Sequence, residues 1–247
     1  MGKNAKAIIF ALTMCLIVSM ILSGLAFGLR PMQEKNIEVD VKKNILKALK
    51  ISSLEDPTAS KLGDFYSSVT GLEIEKLYAE NVKSIVLNKN SKIDSAKKAD
   101  KLTDKEKIDG FRPLYLHQVN GKIQAYCMPI KGKGLWSTLY GFIALAKDLN
   151  TVKGLTFYAH GETPGLGAEI SADWFQNNFT GKKILNKTGD LTPVQVVKGK
   201  VVKGGAMEAH EVDGISGATI TANGVNTLLQ KDLGFYNKYF NTIRGGK

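Results

Sequence analysis

Leu114-Tyr115-Leu116-His117-Gln118-Val119-Asn120-Gly121-Lys122-Ile123-Gln124-Ala125-Tyr126-Cys127-Met128-Pro129-Ile130 reads as two β-prone runs joined by Asn-Gly. A tight type I′ turn needs positive φ at both central residues, which Asn and Gly adopt most easily, so 114–119 and 122–130 are expected to pair as an antiparallel hairpin. A second pair, 141–146 and 152–159, is expected across Asp148-Leu149-Asn150, with 194–202 as a further strand. Val41, Ile45, Leu46 and Leu49 have the spacing of a short amphipathic helix, and 72–82 repeats it. Ser171-Ala172-Asp173-Trp174-Phe175 opens another helix that should end before Gly181, and Val225, Leu228 and Leu229 mark a final one. Strand pairs with helices between them define an α+β class, a mainly antiparallel sheet partly covered by helices. The lysine-rich stretch 89–107 is expected to be a poorly packed excursion.

The N-terminal residues are of a different kind. From Ala7 to Leu29 there is no charge, and as a helix the stretch would extend roughly 34 Å, enough to cross a bilayer's hydrocarbon core. Lys3 and Lys6 precede it, which by the positive-inside rule puts the N-terminus in the cytoplasm, although Arg30 on the far side weakens the asymmetry. The alternative is a cleaved signal peptide with Ala26-Phe27-Gly28 as its small-x-small site; the apolar stretch is longer than a usual signal core and favours an uncleaved anchor. The expected organisation is therefore an anchor over 1–30, a membrane-proximal helical and charged region over 31–110, and the main domain over 111–247. Cys15 lies inside the anchor and Cys127 inside a strand, so the soluble part has no disulfide of its own.

Composition excludes several functions. A formal net charge of +11 raises nucleic acid as a partner, but Asp94, Asp100, Asp104 and Glu106 interrupt the first lysine-rich segment, and no recognition helix or ribonucleoprotein motif is present. A basic face near a membrane is instead suited to anionic headgroups or acidic subunits. His117, His160 and His210 are isolated and no Cys-x-x-Cys occurs, so no metal site is expected.

Chemistry is concentrated late in the chain. Asp213-Gly214-Ile215-Ser216-Gly217-Ala218-Thr219 runs into the final helix, so Thr219 stands just before a helix start, where free backbone N–H groups and the dipole attract a phosphate. Gly214 and Gly217 can take backbone angles closed to other residues. A hydrolase elbow at Ser216 fails because Ala218 stands where its second glycine belongs. A plain glycine-rich helix cap remains open on this segment alone. Upstream, Glu162-Thr163-Pro164-Gly165-Leu166-Gly167 leaves a strand, with Pro164 fixing one angle and the glycines allowing close approach, as a wall against a flat ring would need. Gly132-Lys133-Gly134-Leu135-Trp136-Ser137-Thr138-Leu139-Tyr140-Gly141 sets aromatics among glycines and is either core and turn or a second wall.

These three segments, in this order, resemble the FMN-binding domain family, in which Asp-Gly-x-Ser/Thr-Gly-Ala-Thr offers its last threonine for a phosphoester to FMN. Within it, Gly134-Leu135-Trp136-Ser137-Thr138 is similar to the flavin subunits of respiratory complexes that couple NADH-to-quinone electron transfer to sodium export. The resemblance runs from the anchor to near the C-terminus. It implies covalent FMN on Thr219, with Asp213, Gly214, Ser216, Gly217, Ala218, Thr221, Glu162, Thr163, Pro164, Gly165, Leu166, Gly167, Gly134, Leu135 and Trp136 around the cofactor. It also implies partner subunits, a flavin transferase for maturation, and a single-pass protein of the bacterial inner membrane with its domain in the periplasm. No side chain is expected to act in acid–base catalysis, because the flavin carries the redox chemistry. With no Gly-x-Gly-x-x-Gly after a strand, NADH oxidation and quinone reduction fall to other subunits. Two alternatives are the flavin subunit of the related ferredoxin-dependent ion-pumping complex and a cofactor-free, membrane-tethered assembly protein.

Overall fold

The computed structural model describes residues 2–53 and 59–245. It divides at 40/41 into two compact units. Residues 3–40 of unit one belong to α1 (Lys3–Leu49), a 47-residue helix with Pro31 inside it. Its apolar side chains are exposed along the helix, Phe10 at 69% and Met20 at 75%, and Arg30 pairs with Glu34 at 2.9 Å. Among the described residues, this is one helix long and apolar enough to cross a membrane. The expected separate helix over 41–49 is the last turns of α1, because no breaker lies between 32 and 49 in the sequence.

Unit two, 41–247, contains α2 (Ala59–Ser68), α3 (Gly71–Asn81), β1 (Val82–Leu87), α4 (Asp104–Ile108), β2 (Arg112–Val119), β3 (Lys122–Lys133), β4 (Thr138–Ala146), β5 (Val152–Ala159), α5 (Asp173–Asn177), β6 (Gln195–Val196), β7 (Glu211–Val212) and α6 (Thr219–Arg244). Strands β1 to β5 form an antiparallel meander in sequence order. Both expected hairpins are present, Val119 pairing with Lys122 and Leu145 with Val152. The turn at Asn120 and Gly121 has positive φ at both residues, the geometry that selects Asn-Gly there.

Alternation along the strands assigns the two faces. Tyr126, Met128 and Ile130 share one core with Leu228, Leu229, Leu233, Tyr236 and Phe240 of α6. Gly132 on β3 admits α6 closely, since a Cβ there would lie 2.5 Å from that of Leu228. On the opposite face, Gly154 lies under Ala48, whose carbonyl oxygen would be 2.4 Å from a Cβ at 154. The single buried acid of α6, Asp232, accepts from Arg112 Nη1 at 2.6 Å and the Lys131 backbone at 2.7 Å, which ties the helix to β2 and β3.

Three expectations are corrected here. First, the region expected over 31–110 is not one unit: the division falls at 40/41, and β1, from its second half, is an edge strand of the main sheet. Second, the stretch 89–107, although mostly exposed, is pinned to the core at two points: Ser91 is 3% exposed and donates to the Phe235 carbonyl, and Leu102 is buried, while Thr103 and Glu106 form a capping box at α4. Of its lysines, Lys97 is held by Glu106 and by the Phe111 ring, and Lys107 pairs with Asp104. Third, the strand expected over 194–202 shortens to Gln195–Val196 in a parallel bridge with β7. Gly199 takes a φ of +87°, which breaks the strand, and the Asn226 side chain takes over both backbone groups of Val196.

Candidate functional site

The loop 213–218 leaves β7 and delivers Thr219 as the first residue of α6 rather than the residue before it. Ala218 is the N-cap and contributes no side-chain hydrogen bond, so the first-turn N–H groups have no side-chain cap. Thr219 is exposed, whereas Thr221, two residues on, is 1% exposed and donates to Glu162 Oε2 at 2.6 Å. Opposite sides of the first helical turn therefore treat the two hydroxyls differently.

The loop's glycines serve distinct needs. Gly217 has a φ of +73°, and a Cβ there would lie 2.8 Å from Leu166 Cδ2. Gly214 needs space and not an unusual angle, because a Cβ would sit 2.1 Å from the Val197 carbonyl oxygen. Asp213 accepts from Lys200 Nζ and from the Val201 backbone, both at 2.8 Å. The Lys200 ammonium, followed by that backbone bond, holds the Asp213 carboxyl below its ordinary value.

Glu162 joins the other two segments to the helix. It is 5% exposed. Its Oε1 accepts from the Trp136 N–H at 3.0 Å and the Ser137 N–H at 3.1 Å; its Oε2 accepts from the Leu135 N–H at 3.1 Å and from Thr221. Burial pushes this carboxyl up, but the Thr221 hydroxyl and the Trp136, Leu135 and Ser137 N–H groups together bring it below its ordinary value. Gly134 and Gly167 leave the room it occupies: a Cβ at 134 would meet Glu162 Oε1 at 2.6 Å, and one at 167 would meet Thr221 Oγ1 at 2.6 Å.

Between these segments opens a cleft of about 270 Å³, walled by Leu135, Trp136, Leu166 and Ile220, with Thr219 on its edge. Those four apolar side chains are 42%, 70%, 42% and 59% exposed. A second cleft of about 390 Å³ lies across Gly217 and Thr219, lined by 196–200 and Ser216. Of the sequence-predicted residues, Leu135, Trp136, Glu162, Thr163, Leu166, Gly167, Ala218 and Thr221 meet at the first cleft, Gly214 and Ser216 at the second, and Gly217 and Thr219 at both, while Asp213 and Gly134 line neither. Pro164 and Gly165 form the exposed tip of the 162–167 turn and line neither; Gly165 has a φ of +73° and open space around it, so its need is the angle. Sequence reasoning missed Ile220, whose signal was an apolar residue on the polar side of an amphipathic helix, and the 196–200 segment, which carries no signal beyond Gly199.

A hydrolase triad is not assembled. His210 is buried, with Nδ1 facing the Lys183 carbonyl at 2.8 Å and that of Thr192 at 3.2 Å, and Asp213 is engaged with Lys200. Among the described residues no three of His, Cys, Asp and Glu gather as a metal site.

Partly exposed apolar walls beside an uncapped helix start fit a planar ring carrying a phosphate: the walls take the ring's faces and the N–H groups take the anion. Fold and site together define an FMN-binding domain, preceded in the chain by a helix with the length and composition of a single-pass anchor. Residues 134–234 match the FMN-binding domain family. A Pseudomonas aeruginosa protein, named as the C subunit of Na(+)-translocating NADH-quinone reductase, is 33% identical over 94% of this chain and 92% of its own length. A Vibrio alginolyticus protein of the same name is 33% identical over 90% of this chain and 87% of its own. The crystal structure of the C subunit from Parabacteroides distasonis superposes with a TM-score of 0.68 at 35% identity, covering 85% of this chain and 96% of that one. This chain belongs to the family of Na(+)-translocating NADH-quinone reductase C subunits.

Proposed function

We propose that this chain is the flavin-carrying subunit of a sodium-translocating NADH:quinone oxidoreductase, holding one FMN through a phosphoester to Thr219 Oγ1. The observation that carries the assignment is the contrast between the two threonines. Thr219 is exposed at the uncapped start of α6 and borders both clefts; Thr221 is buried with its hydroxyl committed to Glu162. Esterification removes the Thr219 hydroxyl proton while an activating group leaves the flavin phosphate, a step assigned to a transferase.

Leu135, Trp136, Leu166 and Ile220 would hold the ring and exclude water from its covered face, while the first-turn N–H groups of α6 receive the phosphate. When bound there, FMN would supply the redox chemistry, as a carrier between neighbouring centres of the complex. The names of the relatives support the NADH-quinone branch over the ferredoxin-dependent one. Under this reading residues 7–29 anchor the chain in the bacterial inner membrane beside partner subunits, with Lys3 and Lys6 cytoplasmic and the domain periplasmic. Peptide mass spectrometry of protein from its native host tests the attachment: FMN mass on Thr219 is expected, and FMN on Thr221 or Ser216 overturns it.

A further inference from the structure

Thr219 supplies an attachment point, yet nothing about an ester at an exposed hydroxyl sets where the attached ring lies. That placement depends on how the 134–137 turn stands relative to α6, and these two elements are far apart in the chain. They are in direct backbone contact at Gly224, where a Cβ would lie 2.3 Å from the Lys133 carbonyl oxygen. Their polar link is one side chain, the buried carboxylate that follows β5.

Resting on the flavin reading above, we propose that Glu162 is the positioning residue of the site: its carboxylate fixes the Leu135 and Trp136 wall relative to the helix that presents Thr219. The geometry is specific to an ionised carboxylate. Three backbone N–H groups and the Thr221 and Ser137 hydroxyls converge on two oxygens, and all five are donors. An amide in the same shape offers one acceptor oxygen and turns its NH₂ toward donors, which leaves part of this set unpaired. An unpaired N–H in a site from which water is excluded is unfavourable, so the turn rearranges toward solvent and carries Trp136 with it. The neighbouring glycines exclude other arrangements, because Gly134 and Gly167 leave just enough room for the carboxylate and the Thr221 hydroxyl. Glu162 therefore need not touch the flavin in order to set its surroundings.

The test uses the full chain in detergent, with and without flavin, in a Trp174→Phe background so that Trp136 is the remaining tryptophan. Four variants are compared: Glu162→Gln, Thr221→Val, Thr221→Ser and the Glu162→Gln/Thr221→Val pair. On protein flavinylated at Thr219, Glu162→Gln and Thr221→Val are expected to reduce the visible circular dichroism of the flavin and shift its midpoint potential. Thr221→Ser, which keeps the hydroxyl, is expected to restore both. The pair should be less than additive, since both changes act on one bond. On flavin-free protein, Glu162→Gln should lower the fluorescence anisotropy of Trp136, a readout that stands whether or not the flavin reading does. If the variants lower the melting temperature but leave flavin dichroism, potential and Trp136 anisotropy unchanged, Glu162 merely stabilises the fold and the proposal is overturned. Should Glu162→Gln fail to fold, the Thr221→Val and Thr221→Ser pair decides by the same readouts. Flavin found away from Thr219 refutes the attachment, while the Trp136 arm still decides on Glu162.

Discussion

Gly224→Ala and Gly234→Ala make the same change in the interior of the same helix, and the structure gives them different outcomes. Replacing glycine by alanine in a helix interior favours the helix by about 0.8–1.0 kcal/mol in either case. At Gly234 nothing lies within 4 Å of the new Cβ, so that gain is expected in full. At Gly224 the Cβ would sit 2.3 Å from the Lys133 carbonyl oxygen and 3.3 Å from Gly134 Cα. Both are backbone atoms, so no rotamer change relieves the overlap and α6 must lift off the end of β3. Overpacking of this kind costs about 1–3 kcal/mol. Because propensity is common to both variants, the gap between them isolates the contact. At about 2–4 °C per kcal/mol for a domain of this size, Gly234→Ala should melt roughly 2–12 °C above Gly224→Ala, with the parent between them or level with the lower. Thermal unfolding of the detergent-solubilised chain by circular dichroism reads this directly. Equal melting temperatures, or Gly224→Ala as the more stable variant, would show that α6 does not approach β3 as described.

Thr219→Ala should abolish in-gel flavin fluorescence while shifting stability by no more than about 0.5 kcal/mol, since the hydroxyl is exposed; loss of folding would contradict this. Leu166→Ala should raise the midpoint potential of the attached flavin, because water admitted to the cleft favours the charged reduced form; spectroelectrochemistry checks it. Burial, then the charge of Lys153, lowers the His117 pKa to about 4. The unfolded chain, near 6.5, thus binds that proton more readily, and stability should fall as pH drops from about 6.5 toward about 4. His117→Leu should flatten this slope in denaturant titrations, whereas the contribution of Glu162, whose pKa is also lowered, is lost as pH falls from the ordinary carboxylate value downward. A reporter active only after export, fused behind Lys247, should be active; activity of a cytoplasm-only reporter would reverse the orientation.

The elements legible in the sequence were those whose causes are local. Asn120-Gly121 announces its hairpin because the turn's angles belong to those two residues, and α6 announces itself through the spacing of its buried face. The strand at 194–202 misled because its valines satisfy a β pattern, whereas what ends it is Gly199 and what pairs it is Asn226 of α6, thirty residues past Val196. The tie of 89–107 to the core was hidden for a like reason, since the Ser91 hydroxyl donates to the Phe235 carbonyl across 144 positions. At the site, the three motifs could be read as segments but not as an assembly. Glu162 stands in its segment as one polar residue among glycines, and its partners at 135–137 and 221 are revealed only when β4, β5 and α6 are brought together.

That assembly gives a physical reason for a covalent tether. A cleft of about 270 Å³ lies below the roughly 300–1,000 Å³ of pockets that enclose a drug-sized ligand, and its walls remain 42–70% exposed. Under the proposed function, such a surface would cover part of a flavin and leave an edge open, which would weaken any purely noncovalent hold but keep a route for electrons to neighbouring centres. Under the proposed attachment, an ester at Thr219 makes contact with the walls an intramolecular event, at an effective concentration on the order of millimolar, so weak stacking against Trp136 and Leu166 suffices to place the ring. Openness and retention, which conflict in a noncovalent site, are then supplied by different groups: the clefts provide the first and Thr219 the second. The orientation of the walls is left to Glu162, the buried charge that joins the 135–137 turn to α6.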